Sequence, residues 1–199
     1  MNRSLRIGLA GLGTVGIEVA SRLLNGAVPG AALTAVCARN KVCDRGVDLS
    51  AARWVDHPVD LAGAGDVDLV VELIGGTGEP ASALIDAALV AGKSVVTANK
   101  ALLAERAMQL AVVSEASGAS LAYEAAVAGG IPVIKTLREA LAGNKINRIS
   151  GILNGTCNFI LSQMESDGVS FEAALKDAQK LGFAEAEPDL DISGMDAAQ

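Results

Sequence analysis

A glycine triplet between a short apolar run and an amphipathic stretch is the feature that most constrains the fold of this chain. Residues 5–10 (Leu-Arg-Ile-Gly-Leu-Ala) suit a buried strand, and Gly11, Gly13 and Gly16 follow at once in G-x-G-x-x-G spacing. Apolar residues then recur at helical spacing. Gly11 permits a tight turn, Gly13 lets a pyrophosphate approach bare backbone, and Gly16 lets the helix pack closely. The pattern predicts dinucleotide binding; the alternative is a glycine-rich loop that binds nothing.

Composition limits the class of protein. At 199 residues, half of them hydrophobic and few aromatic, the chain suits one large α/β domain, or one domain and part of another. The formal charge of −7 argues against nucleic acid or an anionic membrane as partner. Three cysteines (Cys37, Cys43 and Cys157) give no disulfide framework, which favours a reducing cytoplasm. No apolar run reaches the roughly 18 residues of a membrane span, and we expect no leader.

Strand and helix patterns alternate along most of the chain. Further strands are predicted at 33–37, 67–74, 94–97 and 121–124, and helices at 79–91, 101–117 and 131–141. This order predicts an α/β fold with a doubly wound (Rossmann-type) parallel sheet over residues 1–135. Residues 42–66 read as a polar connection, in which we expect His57 to be a surface residue.

The pattern changes after about residue 135. Residues 146–154 alternate between apolar and polar, which predicts a strand with one solvent-exposed face. A helix is then predicted to begin at Gly155, and another at Ser170, which ends at Gly182. Residues 136–199 are therefore expected to begin an α+β substrate or dimerisation domain. Because the chain stops without a helix cap, we expect this domain to be incomplete and the chain to be the N-terminal portion of a longer protein.

Four charged residues lie at or just after predicted carboxyl ends of strands, where ligands of a doubly wound sheet bind. After the second strand the usual ribose-binding carboxylate is missing, and Arg39 and Lys41 favour a 2′-phosphate, hence NADP over NAD; alternatively they are solvated loop charges. Glu72 is either a ligand contact or a satisfied edge charge. Lys100 is either solvated or a contact of cofactor or substrate.

Residues 182–196 carry five carboxylates. An acidic surface loop would explain them. However, Phe183, Ile192 and Met195 lie among them, and we expect these apolar residues to anchor the loop and to direct some carboxylates inward. Inward carboxylates suit the amino group or hydroxyl of a small substrate, or a hard, oxygen-preferring cation.

Taken together, these motifs resemble the homoserine dehydrogenases, over essentially all 199 residues. The match is carried by residues 11–16 (GLGTVG), 71–76 (VELIGG), 96–100 (VTANK), 123–132 (YEAAVAGGIP), 151–156 (GILNGT) and 182–198. The first motif is shared by many dehydrogenases, whereas the last three in this order are specific.

The resemblance implies an NADP-dependent oxidoreductase that interconverts L-aspartate 4-semialdehyde and L-homoserine, a step toward threonine, methionine and isoleucine. Hydride transfer would be assisted by proton transfer from a lysine. By position, the implied cofactor contacts are Gly11, Leu12, Gly13, Thr14, Val15, Gly16, Lys100 and Gly182. The implied substrate contacts are Thr156, Glu185 and Asp196, with Lys100 and Asp196 in catalysis. A monovalent cation such as sodium would bind the Glu124 carboxylate and the carbonyls of Val127, Gly129 and Ile131.

One departure from the family pattern matters. Similar enzymes carry the proton-donating lysine four residues after the position of Asp196, which would be position 200, beyond Gln199. Their dimer-forming sheet also lies farther on, so we expect homo-oligomerisation through that region and little turnover by this chain alone. Two alternatives are a nucleotide-sensing module and a thiol-based semialdehyde dehydrogenase using Cys157. The latter chemistry uses a downstream histidine, and none follows Cys157.

Overall fold

A computed structural model describes residues 4–185 and 187–199, which divide into two compact units after Ala140. The strands of the first unit are β1 (Leu5–Ala10), β2 (Ala31–Cys37), β3 (Arg53–Trp54), β4 (Leu69–Glu72), β5 (Ser94–Thr97) and β6 (Leu121–Ala122). Its α-helices are α1 (Thr14–Leu24), α2 (Asp60–Gly63), α3 (Ala81–Val90), α4 (Lys100–Ser117) and α5 (Val133–Lys135). A 3₁₀ turn (Glu124–Ala126) precedes α5, and a π-helical turn (Thr136–Ala140) follows it.

The six strands form one parallel sheet in the order β3-β2-β1-β4-β5-β6. The chain builds outward from β1 to β3, then returns to the other side of β1 with β4. This arrangement confirms the predicted doubly wound fold. The direction of building reverses between β1 and β4, and in such sheets the ligand crevice lies at the carboxyl ends of the strands beside that point.

Both faces of the sheet are covered, which is why its strands read as nearly continuous apolar runs. On one face, Leu9 and Val36 pack with Leu23 of α1. On the other, Val70 and Val95 pack in a larger cluster with apolar residues of α3 and α4, namely Leu84, Ile85, Ala88, Leu89, Leu102, Leu103 and Leu110. The two clusters fix the strand ends that border the crevice.

The second unit contains α6 (Gly155–Asp167), α7 (Phe171–Leu181), α8 (Asp189–Ile192) and α9 (Met195–Ala198). Its small core joins Ile160 of α6 to Ala174 and Ala178 of α7. As predicted, the Ser170 hydroxyl caps α7 by accepting a hydrogen bond from Ala173 N, and Gly182 ends the helix with φ +80°.

The strand predicted at 146–154 is wrong: these residues have no regular structure, and residues 146–153 are exposed. Alternation predicts a strand only where a neighbouring strand supplies the hydrogen-bond ladder, and residues 141–185 and 187–199 contain no strand. The described residues of the second unit are helical, and the α+β character expected of the whole domain stays a prediction.

Smaller differences occur in the first unit. The strand predicted at 121–124 is two residues long, and Glu124 begins the 3₁₀ turn. The helix predicted at 131–141 is broken into α5 and a π-helical turn, because none of its residues is fully buried and packing of an apolar face is what regularises a helix. The connection 42–66 contains β3 and α2. No helix among the described residues is long and apolar enough to cross a membrane.

Candidate coenzyme and substrate site

The glycine turn is compact because two of its glycines admit no side chain. Gly11 has φ +97°, and a Cβ there would lie 2.4 Å from the carbonyl oxygen of Leu73, just after β4. A Cβ on Gly16 would lie 2.0 Å from the carbonyl oxygen of Gly11. Real Cβ atoms do not approach backbone so closely. These glycines therefore hold β1, the start of α1 and the segment after β4 together.

The middle glycine is different, because the space around it is open. Apart from its chain neighbours, no atom of residues 4–185 and 187–199 lies within 4 Å of the position that a Cβ on Gly13 would occupy. Gly13 is also the N-cap of α1, and as a glycine it has no side chain to accept a hydrogen bond from the N–H groups that begin this helix. Leu12 is buried, whereas Thr14 and Val15 are exposed. Free N–H groups at a helix N-terminus and an unobstructed approach are the requirements of a pyrophosphate cradle, so the residues fit a dinucleotide.

The segment after β2 carries the cations expected to bind a 2′-phosphate. Arg39 is exposed, and within residues 4–185 and 187–199 it makes no hydrogen bond or ion pair. Lys41, in contrast, pairs with Asp56 at 2.5 Å and holds the pKa of that carboxyl below its usual value. Arg45 lies over the ring of Trp54, with its guanidinium carbon 5.7 Å from the ring centroid, and donates to the Leu12 carbonyl. Arg39 is thus the available cation of this segment.

A buried polar network lies where β4 and β5 end. Glu72 is completely buried, and its Oε1 accepts hydrogen bonds from Ile74 N (2.7 Å) and Gly75 N (3.0 Å). Its Oε2 accepts from the Thr97 hydroxyl (2.6 Å), which in turn accepts from Asn99 N (3.0 Å). The carboxylate therefore joins the loop after β4 to the segment that leads into α4. These contacts agree with the second interpretation of Glu72, in which both carboxylate oxygens are hydrogen-bonded within the protein.

Lys100 is the first residue of α4 and is exposed. The helix begins there because the Asn99 side chain accepts a hydrogen bond from Leu102 N (3.1 Å), while its amide donates to Gly76 O (2.7 Å). Lys100 therefore follows β5 on the same edge of the sheet as the glycine turn, the placement expected for a contact with bound coenzyme or substrate.

Two carboxylates of the second unit converge on one amide. Asn154 donates through Nδ2 to Asp191 Oδ1 (2.7 Å) and to Asp196 Oδ2 (3.0 Å), and its Oδ1 caps α6 by accepting from Cys157 N (2.8 Å). Both aspartates are half-buried. Nearby, the buried Thr156 hydroxyl donates to the Phe183 carbonyl (2.6 Å). Asp196 and Thr156 are thus held by specific contacts within this unit.

The remaining predicted residues of the acidic segment are less constrained. Glu185 is exposed, and its carbonyl accepts from the Gln179 amide (3.1 Å). The expectation that Phe183, Ile192 and Met195 anchor the segment in a core is wrong, because each is more than 40% exposed. Phe183 instead stacks on Phe159, with ring centroids 4.6 Å apart, and its neighbour Ala184 is buried in the small core of this unit.

The proposed cation ligands lie in the turns before α5. Glu124 caps α5, its two carboxylate oxygens accepting from Ile134 N (3.0 Å) and Lys135 N (2.8 Å). The Ile131 carbonyl accepts from Val133 N (2.8 Å). The described residues contain no group of three or more His, Cys, Asp or Glu side chains suited to a metal. A cation at this turn would depend mainly on backbone carbonyls, including those of Val127 and Gly129.

The sequence analysis missed five residues that organise these sites, namely Thr97, Asn99, Arg45, Asn154 and Asp191. Asn99 and Asn154 each stand directly before a predicted helix, so capping preference could have identified them. Thr97, Arg45 and Asp191 could not be identified in this way, because each is joined to the site by a partner distant in sequence, namely Glu72, Leu12 and Asn154 respectively.

Comparison with known proteins identifies the family. Residues 11–124 match the family model described as homoserine dehydrogenase, NAD binding domain, and residues 132–199 match the model described as homoserine dehydrogenase. The homoserine dehydrogenase of Neisseria gonorrhoeae is 46% identical over 205 residues, which cover 98% of this chain and 46% of that protein. That of Bacillus subtilis is 39% identical, over 99% of this chain and 47% of the relative. The chain spans just under half the length of these curated relatives.

Solved structures agree with this result. A homoserine dehydrogenase from Thiobacillus denitrificans superposes with a TM-score of 0.81 at 42% identity, over 98% of this chain and 46% of that one. A hyperthermophilic archaeal homoserine dehydrogenase, solved in complex with NADPH, gives a TM-score of 0.76 at 28% identity, over 98% of this chain and 66% of that one. Since the family models together match nearly the whole described chain, this protein belongs to the homoserine dehydrogenase family.

Proposed function

We propose that the protein of which this chain is part interconverts L-aspartate 4-semialdehyde and L-homoserine with a nicotinamide coenzyme. One observation carries the proposal: the turn at Gly13 is open, and the N-terminus of α1 has no side-chain cap, at the crevice of a doubly wound sheet. Family membership supplies the substrate. The names of the relatives support the same reaction, a step in the biosynthesis of threonine, methionine and isoleucine.

The coenzyme is proposed to be NADP. Arg39 supports this choice, because it is an exposed guanidinium without a partner among the described residues, at the end of the strand where an NAD enzyme places a carboxylate. A guanidinium can bind a phosphate through two parallel hydrogen bonds. The archaeal relative solved with NADPH is consistent with this choice.

The nicotinamide supplies hydride transfer when it is bound, and the protein positions the reactants and stabilises charge. Gly11 to Gly16 would hold the pyrophosphate, and Gly182 would approach the nicotinamide. Lys100 would place a cation near the oxygen on which negative charge develops. A lysine expected at position 200 would donate the proton.

Substrate binding is assigned to the second unit. Glu185 and Asp196 would bind the amino and hydroxyl ends of homoserine, with Thr156 beside them. Asp196 is already oriented by Asn154, which supports its assignment. The Cys157 thiol donates to the Asp191 carbonyl (3.1 Å), an interaction that favours alcohol–aldehyde chemistry over acyl-thiol chemistry at this residue.

A monovalent cation, a cytoplasmic location and a homo-oligomeric state complete the proposal. Each carboxylate oxygen of Glu124 accepts one N–H and retains a lone pair, so a sodium ion could share it with the carbonyls of Val127, Gly129 and Ile131. Cys37, Cys43 and Cys157 are all free thiols, which supports a reducing compartment.

Steady-state kinetics of the full-length protein test the assignment. Glu185→Leu is expected to raise KM for homoserine at least tenfold while leaving the dissociation constant of NADPH within twofold, since one lost charge-assisted contact costs about 1.5–3 kcal/mol. Glu172→Leu, which changes an exposed carboxylate at the start of α7, is the matched control. An equal loss of homoserine and NADPH binding in Glu185→Leu would contradict the assignment, and absence of homoserine oxidation by the wild type would refute the proposed function.

A further inference from the structure

The buried Glu72 network has a role beyond balancing a charge. Glu72, Thr97 and Asn99 are all less than 5% exposed, so none of them is a surface for substrate or coenzyme. Each of them nevertheless makes at least one hydrogen bond to backbone that borders the crevice. In a sheet interior, apolar residues would pack at lower desolvation cost. A polar cluster at this edge therefore indicates that these residues fix the conformation of the adjoining loops.

The loop after β4 needs such support. Gly75 and Gly76 have φ of +80° and +84°, and in the described part of the chain no atom beyond their own neighbours lies within 4 Å of a Cβ built on either. Two consecutive glycines without packing contacts have wide conformational freedom. Glu72 fixes the loop at its start through Ile74 N and Gly75 N, and Asn99 fixes it at Gly76 O. These hydrogen bonds replace the packing that the glycines lack.

The same carboxylate reaches the glycine turn indirectly. The Leu73–Ile74 peptide, whose N–H on Ile74 donates to Glu72, lies against Gly11, where a Cβ would be 2.4 Å from Leu73 O and 2.9 Å from Ile74 N. On the other side, the Thr97 hydroxyl connects Glu72 to Asn99. Asn99 caps α4, the helix that begins at Lys100. One buried side chain thus links three segments of the crevice rim.

We infer that Glu72 is a positioning residue for the nicotinamide half of the coenzyme, acting through the loop of residues 73–76 and through Thr97 and Asn99. The inference rests on the proposed function. In a doubly wound sheet the adenosine half of a dinucleotide lies over β1 to β3, and the second mononucleotide lies over the other half of the sheet. The hydrogen bonds of the Glu72 network all join residues 72–99, which follow or end β4 and β5, and the network reaches the glycine turn only through the packing of the Leu73–Ile74 peptide on Gly11. Its loss is therefore expected to affect the nicotinamide half of the ligand more than the adenosine half.

Two ligands separate positioning from general stability: NADPH, which spans the crevice, and 2′,5′-ADP, which contains only the adenosine half. Thr97→Val removes the hydroxyl that joins Glu72 to Asn99. In the full-length protein it is expected to raise the dissociation constant of NADPH about tenfold, the effect of one lost buried hydrogen bond, and to leave that of 2′,5′-ADP within twofold. Thr97→Ser, which keeps a hydroxyl, is expected to restore NADPH binding.

Thr34→Val is the matched control, because it removes the hydroxyl of another strand threonine that makes two hydrogen bonds, here to the backbone carbonyls of Asp66 (2.7 Å) and Ile7 (3.2 Å), away from the crevice. It is expected to lower Tm without changing either dissociation constant. Should Thr97→Val not fold, Glu72→Gln provides the measurement, since it keeps the shape and converts one acceptor into a donor. Unchanged NADPH binding in the variant, or equal weakening of both ligands, overturns the inference. A wild-type protein that binds neither ligand refutes the proposed function instead.

Discussion

The α-carbon of Gly16 faces the Gly11 carbonyl so closely that a Cβ on Gly16 would lie 2.0 Å from that oxygen. Gly16→Ala must therefore displace either α1 or the end of β1. We expect it to lower the free energy of unfolding by about 1–3 kcal/mol and to abolish tight NADPH binding. Urea unfolding and a fluorescence titration with NADPH measure the two effects.

Gly13→Ala provides the contrast within the same turn, because among the described residues its methyl group would contact only its own chain neighbours. It is expected to leave stability nearly unchanged and to weaken NADPH binding at least tenfold, since the methyl group occupies the approach of the pyrophosphate. If Gly13→Ala binds NADPH as well as the wild type does, the pyrophosphate does not lie over this turn.

Arg39 is predicted to select the coenzyme. Arg39→Ala is expected to weaken NADPH binding by about 10- to 100-fold, the effect of losing a charge-assisted contact worth about 1.5–3 kcal/mol, and to leave NADH binding unchanged. Titration of both coenzymes into the full-length protein gives the ratio. Arg22→Ala, which removes an α1 guanidinium paired with Glu18 (2.7 Å), is the control and should change neither value.

Asn154 is predicted to offset the repulsion between the Asp191 and Asp196 carboxylates, because its amide donates a hydrogen bond to each. Asn154→Asp retains an oxygen to cap α6 but places a third carboxylate beside Asp191 and Asp196, where the amide now donates at 2.7 and 3.0 Å. At pH 7 we expect a loss of about 1–3 kcal/mol in the stability of the second unit, which shrinks as pH falls toward 4 and carboxylates gain protons. Asn154→Ser, a cap without charge, should show no such pH dependence. A deficit in Asn154→Asp that is independent of pH would contradict the explanation.

Asp66 is predicted to contribute to the acid sensitivity of the first unit. Its hydrogen bonds from Arg53 (2.6 and 2.9 Å) hold the pKa of the Asp66 carboxyl below its usual value. The folded state therefore binds fewer protons than the unfolded chain, so this contribution to stability is present above the unfolded pKa near 4 and is lost as pH falls through the folded pKa. Asp66→Asn should make stability less dependent on pH between about 5 and 2, by urea unfolding. Glu105→Gln, an exposed carboxylate of α4, serves as control.

The elements that could be predicted from the sequence are those in which the local residue pattern agrees with the burial of the element in the structure. The continuous apolar runs at 33–37, 67–74 and 94–97 became central strands, because both faces of a parallel sheet are covered by helices. The glycine spacing at Gly11 to Gly16 likewise encodes a geometry that is set within a few residues. Residues 146–154 show the limit of such reasoning, since their alternation is real but a strand also requires a partner.

The site was predictable only where a residue's place along the chain determines its role. Arg39 and Lys100 follow directly from strand ends, and Asn99 and Asn154 could have followed from capping preference. The bond between Thr97 and Glu72 joins residues 25 positions apart and requires the register of β4 with β5, in which Glu72 pairs with Thr97. This network could therefore be predicted only once the order and register of the strands are known.

The buried Glu72 carboxylate has a consequence for the dynamics of the crevice. Loop amides ordinarily exchange their hydrogens with solvent quickly, because their hydrogen bonds open easily. The N–H groups of Ile74, Gly75 and Asn99 donate to the side chains of Glu72 and Thr97, which are completely buried and bonded to each other across the ends of β4 and β5. Their exchange should therefore be as slow as that of the sheet itself, and the coenzyme would meet a rim that is already rigid before it arrives.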